Sequence, residues 1–141
     1  MFNPSRDEVR KFFLETWSKH RTALPLVGLE TTAVDVLAIH PEYHAFLDSG
    51  DDALNREFRV EDGGVNPFLH LSLHLAIEEQ LSIDQPKGLV ETFNRIVSRS
   101  GDRHAALHVV LDCLGETIWA AQRNNAPPDA DAYLECVRRH S

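Results

Sequence analysis

The sequence predicts an all-α protein, an irregular bundle of six or seven helices in a single domain over residues 1–141. Apolar residues recur at three-to-four spacing in successive segments, residues that favour helix ends separate these segments, and no segment alternates convincingly like a strand. The length of 141 residues, with 43% apolar and 26% charged residues, is ordinary for one globular domain.

The first two helices are predicted from their ends. Asn3 followed by Pro4 is typical of a helix start, because Asn caps the helix and Pro needs no amide donor at its first position. Apolar spacing then carries this helix to about His20. A second helix is expected over residues 29–39, where the apolar side chains again fall on one side.

A proline interrupts the chain after this second helix. Pro41 disfavours helical geometry in the preceding residue, so a short new helix is expected to begin at Pro41 and to end near Asp48. Residues 49–65 are polar and contain three glycines. We expect them to form a loop, of a length that is often functional or mobile in a compact domain.

The second half of the sequence repeats the same signals. Another Asn-Pro pair opens a helix at Asn66, Gly101 is a stop signal, and Asp102 is a cap for the helix after it. The predicted helices cover Asn66–Ile83, Gly88–Arg99, Asp102–Arg123 and Asp129–Arg139.

Charge and cysteine usage exclude several classes of protein. The formal net charge is -8 and no basic stripe is sustained, so we expect neither a nucleic-acid partner nor an anionic membrane. Cys113 and Cys136 lie in predicted helices without a C-x-x-C motif, and we expect them to be small buried side chains kept reduced. The N-terminus has no apolar signal core and no stretch is apolar enough to span a membrane, so a cytoplasmic protein is predicted.

Histidine is the unusual residue type, with eight in the chain. Six of them form pairs four residues apart, which places both imidazoles of a pair on one helix face. The pairs are His40/His44, His70/His74 and His104/His108. Two imidazoles so placed can bind one metal ion.

The stripe on the Asn66–Ile83 helix is the most informative. His70 and His74 share a sector with Ile77, which indicates that both imidazoles point inward. Glu78 continues the stripe, either as a third ligand or as a carboxylate that orients an imidazole.

The Asp102–Arg123 helix carries a second stripe. His104 and His108 lie at the edge of its main apolar face, and Asp112 and Glu116 continue the same row. If the two stripes face each other, four imidazoles and one or two carboxylates converge. Such a set suits zinc, iron or manganese in the core of a helical bundle.

These stripes predict a divalent metal as cofactor. The candidate ligands are His70, His74 and His108, followed by His104, His44 and Glu78 as further ligands or orienting groups. His40 is interpreted as a helix start before Pro41, and Pro41 leaves His40 and His44 free to lie on different faces. If the protein is an enzyme, a metal-dependent hydrolase or redox protein is expected, with catalytic residues that the sequence does not identify.

Two alternatives stay open. The histidines can be core side chains satisfied by carbonyls or carboxylates, in which case the chain is a non-enzymatic interaction or scaffold protein. Its contact surface would then involve Trp119 or residues 49–65, and homo-oligomers or a protein partner are compatible with it. Alternatively, histidine protonation makes the chain a pH switch.

One segment carries a family resemblance. NPFLHLSLHLAIEEQLSIDQP resembles the hallmark of a bacterial family named for a domain of unknown function, DUF1841, and MFNPSRDEVRKFF, HPEYH and IWAAQRN resemble it too. The likeness spans essentially the whole chain. It implies a small proteobacterial cytoplasmic protein and transfers no activity or site residue. Paired histidines in a helical bundle are also similar to DinB-like metal-dependent proteins and hemerythrins, but motif order and spacing differ, so that likeness concerns architecture alone.

Overall fold

The computed structural model describes residues 6–58 and 66–141. These residues form eight α-helices, one 3-10 turn and no strand, which confirms the all-α class. The helices are α1 (Arg6–Arg21), α2 (Leu29–Ala38), α3 (His44–Asp48), α4 (Asp51–Asn55), α5 (Pro67–Ile83), α6 (Leu89–Ser100), α7 (Arg103–Arg123) and α8 (Ala130–Arg138), with the 3-10 turn Pro41–Tyr43 directly before α3.

By its internal contacts the chain divides into two compact units, Met1–Leu75 and Ala76–Ser141. α5 begins in the first unit and ends in the second. A single domain over residues 1–141 therefore stays a prediction.

In the first unit, α1 packs against α2, α3 and α4 around an apolar core. The start of α5 adds its own apolar side chains to this core. The buried members are Phe13, Trp17, Ala33, Val36, Leu37, Leu47, Ala53, Phe68, Leu71 and Leu75. Trp17 is anchored further, because its indole Nε1 donates a hydrogen bond to Asp48 at 2.7 Å.

The short helix α4 was not expected, since residues 49–65 were predicted to form a loop. A five-residue helix is too short to show apolar periodicity. The buried guanidinium of Arg10 stabilises its C-terminal end by donating to the carbonyls of Leu54 and Arg56, at 2.9 and 2.6 Å. A cation at this end also complements the helix dipole. Burial lowers the pKa of Arg10.

The second unit is built from α6, α7 and α8, which pack against one another. Their buried apolar side chains include Leu89, Phe93, Ile96, Leu107, Val110, Leu134 and Val137. Among the described helices, none combines the length and apolar character needed to cross a membrane.

Most predicted helix ends are confirmed. The side chain of Asn66 accepts hydrogen bonds from the first amides of α5, Asp102 caps α7 and Asp129 caps α8. Gly101 ends α6 with a φ of 70°, a left-handed conformation that glycine adopts without steric cost. The predicted Asn3-Pro4 start and residues 59–65 of the predicted loop lie outside the described residues.

The prediction that the two cysteines stay reduced is wrong for this structure. Cys113 of α7 and Cys136 of α8 form a disulfide, with their Cα atoms 5.7 Å apart. The absence of a C-x-x-C motif excludes only a pairing within one short segment. This pairing joins neighbouring helices across 23 residues, and periodicity gives the faces of helices but not their neighbours.

Candidate metal centre

Helix α5 brings His70 and His74 together in the first unit. Their Nε2 atoms lie 3.1 Å apart, and their ring centroids are separated by 4.7 Å. His74 is completely buried and His70 is half-buried. The predicted inward orientation of this stripe therefore holds for His74.

A third imidazole joins this pair from outside α5. The ring centroid of His40 lies 5.0 Å from that of His70 and 4.5 Å from that of His74. His40 is 1% exposed, and its Nδ1 donates to the carbonyl of Val36 at 2.8 Å. In a neutral imidazole this hydrogen bond leaves the lone pair on Nε2, the tautomer found in many metal-ligating histidines.

Sequence reasoning did not select His40 as a ligand. Its predicted position as a helix start is confirmed, because Pro41 opens the 3-10 turn directly after it. Helix α2 ends at Ala38, and Pro41 prevents helical geometry from continuing through His40. The HPEYH segment was the only signal, and it did not show which of its two histidines would approach α5.

His44 takes a different position from His40. Its ring packs on Trp17 with a centroid separation of 4.4 Å, and its Nε2 lies 2.8 Å from the carbonyl of Leu37, to which it donates. With Nε2 protonated, only Nδ1 of a neutral His44 carries a lone pair.

Tyr43 borders the three-imidazole group formed by His40, His70 and His74. Its ring stacks on His40 at 5.6 Å and meets His70 edge-on at 6.0 Å. Burial, and to a lesser degree the carboxylate of Glu42, raises the pKa of the Tyr43 phenol. The phenol is therefore neutral at physiological pH and adds no negative charge to the group.

The second unit holds the other predicted pair. The Nε2 atoms of His104 and His108 lie 3.0 Å apart on α7. Asp102 caps the start of this helix by accepting a hydrogen bond from the amide of His104. His104 is half-buried and His108 is exposed. That this stripe faces the stripe of α5 stays a prediction.

Glu78 forms an ion pair with Arg103 within the second unit. Its two carboxylate oxygens accept hydrogen bonds from Arg103 at 2.9 and 3.1 Å. The hydrogen bond from Arg103 to Glu78 raises the pKa of the guanidinium. This bidentate pair neutralises the carboxylate that was predicted to serve the α5 stripe.

Each close Nε2–Nε2 contact has two chemical explanations. One is a hydrogen bond between neutral imidazoles, in which one nitrogen carries the proton and the other accepts it. The other is joint coordination of a cation, because two imidazoles on a tetrahedral zinc ion place their nitrogens about 3.3 Å apart. The observed separations of 3.1 and 3.0 Å fit both explanations.

Comparison with known proteins identifies the family and no activity. The family model described as Domain of unknown function (DUF1841) matches residues 5–139. No curated protein and no solved structure matches the chain. Because the family model covers nearly the whole sequence, the chain belongs to the DUF1841 family, a domain of unknown function.

Proposed function

We propose that this protein binds a divalent transition-metal ion through the histidine stripes of α5 and α7. The observation that carries the proposal is the three-imidazole group of the first unit, in which the Nε2 atoms of His70 and His74 lie 3.1 Å apart and the His40 ring lies within 5.0 Å of both rings. Zinc, iron and manganese are the candidate ions, and imidazole suits the first two best.

The surroundings of the group support metal binding. A carbonyl orients His40 through Nδ1, as outer partners commonly orient ligating histidines. The phenol of Tyr43 beside the group is neutral and carries no positive charge that would oppose a cation. Within the second unit, the pair on α7 is reachable from solvent, because His108 is exposed.

Metal binding makes two reaction classes available. An ion held by imidazoles with one open position lowers the pKa of a bound water and supports hydrolysis, whereas iron or manganese supports redox chemistry. Glu78 is expected to contribute less to metal binding than the histidines. Its carboxylate is neutralised by Arg103, which makes it a poorer metal ligand than an isolated carboxylate.

Elemental analysis of the full chain, purified without a histidine tag and reconstituted with zinc, iron or manganese, tests the proposal. We expect near-stoichiometric metal in the wild-type protein and its loss in His74→Ala. Since His74 is buried and its removal can unfold the protein, the half-buried His70→Gln serves as the second variant. His20→Ala, at an exposed histidine of α1, is the matched control and should retain the metal.

Metal-free wild-type protein after reconstitution would contradict the proposal. Full metal occupancy in folded His74→Ala and in His70→Gln would also contradict it. The histidine contacts would then be neutral hydrogen bonds within the fold.

A specific observation favours a second candidate function, an interaction or scaffold protein. The indole of Trp119 on α7 is 60% exposed, with the guanidinium of Arg123 5.2 Å from its ring centroid. An exposed Trp beside an Arg is typical of protein contact surfaces. Sedimentation of wild-type and Trp119→Ala protein over a concentration series tests self-association through this residue, and identical monomeric behaviour of both would contradict it.

A further inference from the structure

A second cluster of metal-ligating side chains lies within the second unit, around the disulfide. Cys113 and Cys136 contribute their sulfurs and His140 contributes a ring nitrogen, and the three ligand atoms all lie within 4.8 Å of one another. Both cysteines are buried, whereas His140 is exposed. None of these residues belongs to the histidine stripes of α5 and α7.

A backbone hydrogen bond fixes the tautomer of His140. This residue lies four residues after Cys136, beyond the end of α8, and its Nδ1 donates to the carbonyl of Cys136 at 2.9 Å. In the neutral ring the lone pair is then on Nε2. A backbone carbonyl that fixes the tautomer in this way is a common partner of metal-bound imidazole.

A carboxylate lies beside Cys136, outside the three ligand atoms that meet within 4.8 Å of one another. Glu116 lies one turn after Cys113 on α7, and its Oε2 is 3.9 Å from the sulfur of Cys136. A disulfide sulfur carries no proton, so this contact is not a hydrogen bond while the disulfide is intact. Once the disulfide is reduced, the same carboxylate is close enough to accept a hydrogen bond from the Cys136 thiol or to share an ion with its thiolate.

We propose that reduction of the Cys113–Cys136 disulfide creates a zinc site whose ligands are the two thiolates and the His140 imidazole, with Glu116 beside Cys136 as the fourth ligand after rotation of its side chain. A dithiol reductant supplies two electrons, breaks the S–S bond and leaves as its own cyclic disulfide, and the protein gains two thiols. Zinc then displaces one proton from each thiol, so that two protons are released for each ion bound.

The separation of α7 and α8 suits this set. Two thiolates on a tetrahedral zinc ion lie about 3.8 Å apart. Cysteines whose Cα atoms are 5.7 Å apart reach that spacing by side-chain rotation. The soft sulfur ligands favour zinc over harder divalent ions, and the exposed imidazole gives the ion a path from solvent.

The site is accordingly governed by redox state. In an oxidising compartment the disulfide occupies both sulfurs, whereas in a reducing compartment both are available as ligands. The histidines of α5 and α7 involve no sulfur, so their proposed metal binding does not depend on this reduction.

Cobalt titration of the full chain, with and without prior reduction, tests the proposal. After reduction by dithiothreitol and anaerobic removal of the reductant, Co²⁺ added until both proposed sites are filled should produce thiolate-to-cobalt charge-transfer absorption in the near ultraviolet. Zinc should displace the cobalt and abolish this absorption. The oxidised protein should give none of it.

Variants distinguish this site from the paired histidines of α5 and α7. His140→Ala, at an exposed position, should weaken cobalt binding at least about tenfold, and Glu116→Gln should weaken it less. His20→Ala and His70→Gln should leave the charge-transfer absorption unchanged, whatever happens to metal binding at the stripes.

Two results would overturn the inference. One is a reduced wild-type protein with two titratable thiols and no thiolate-to-cobalt absorption. The other is full absorption at unchanged affinity in both His140→Ala and Glu116→Gln, which would show that the thiolates bind the ion without these two side chains.

Discussion

The two histidine pairs have the same spacing in sequence and nearly the same geometry, yet they lie in different surroundings. The Nε2 atoms are 3.1 Å apart on α5 and 3.0 Å apart on α7. On α5 one imidazole is completely buried, whereas on α7 one is half-buried and the other is exposed. Helix geometry therefore sets the distance within a pair, and packing sets what each pair contributes to stability.

The largest expected difference between the pairs concerns stability. His74→Ala removes a buried ring from the first unit and leaves a cavity, so it should lower the free energy of unfolding by about 3–4 kcal/mol. His108→Ala removes an exposed ring and should change the same quantity by less than about 0.5 kcal/mol. Urea unfolding of both metal-free variants measures the two values, and equal losses would contradict the assigned difference in burial.

Loss of the disulfide in the second unit should lower the free energy of unfolding slightly less than His74→Ala does. Cys113→Ser opens a covalent loop of 23 residues, which should lower the free energy of unfolding by about 3 kcal/mol. The same loss is expected on reduction of the wild-type protein without metal. Unfolding curves that coincide with and without reductant would show that the cross-link does not stabilise α7 and α8.

The two pairs also show which features of the fold and the candidate site could be predicted from the sequence. Capping residues predicted most helix ends, and residue spacing predicted both i,i+4 histidine pairs, because these features depend on residues only a few positions apart. His40 joined the α5 pair and Cys136 joined Cys113 through packing between distant segments, which periodicity does not encode. Helix α4 was missed because five residues are too few to show apolar periodicity, and because the Arg10 side chain that caps its carbonyls comes from the distant helix α1.

A smaller change in stability is expected at Glu78, and the same variant tests whether Glu78 takes part in metal binding by the α5 stripe. Glu78→Gln removes a bidentate but partly exposed ion pair with Arg103, so it should cost about 0.5–1 kcal/mol in the free energy of unfolding. Metal content should be unchanged, because the carboxylate is already committed to Arg103. Loss of metal from a folded Glu78→Gln variant would instead make Glu78 a ligand or an orienting group of the α5 stripe.

The smallest expected effect is a change in acid stability near α3. Hydrogen bonds from Arg21 and then Trp17 lower the pKa of Asp48. A carboxylate with a lowered pKa stabilises the folded state above its unfolded pKa of about 4, and this contribution is lost as the pH falls through the lowered value. Asp48→Asn should therefore flatten the acid limb of stability against pH, whereas an unchanged acid limb would contradict the role of these hydrogen bonds.

The central claim is that imidazoles hold a metal ion, and zinc X-ray absorption spectroscopy tests it most directly. The full chain, with its disulfide intact and loaded with zinc, should show nitrogen neighbours at about 2.0–2.1 Å together with the outer-shell scattering of imidazole rings. Folded His70→Gln protein should show fewer imidazoles or no bound zinc. A wild-type spectrum without imidazole scattering, or a chain that takes up no zinc, would contradict the claim.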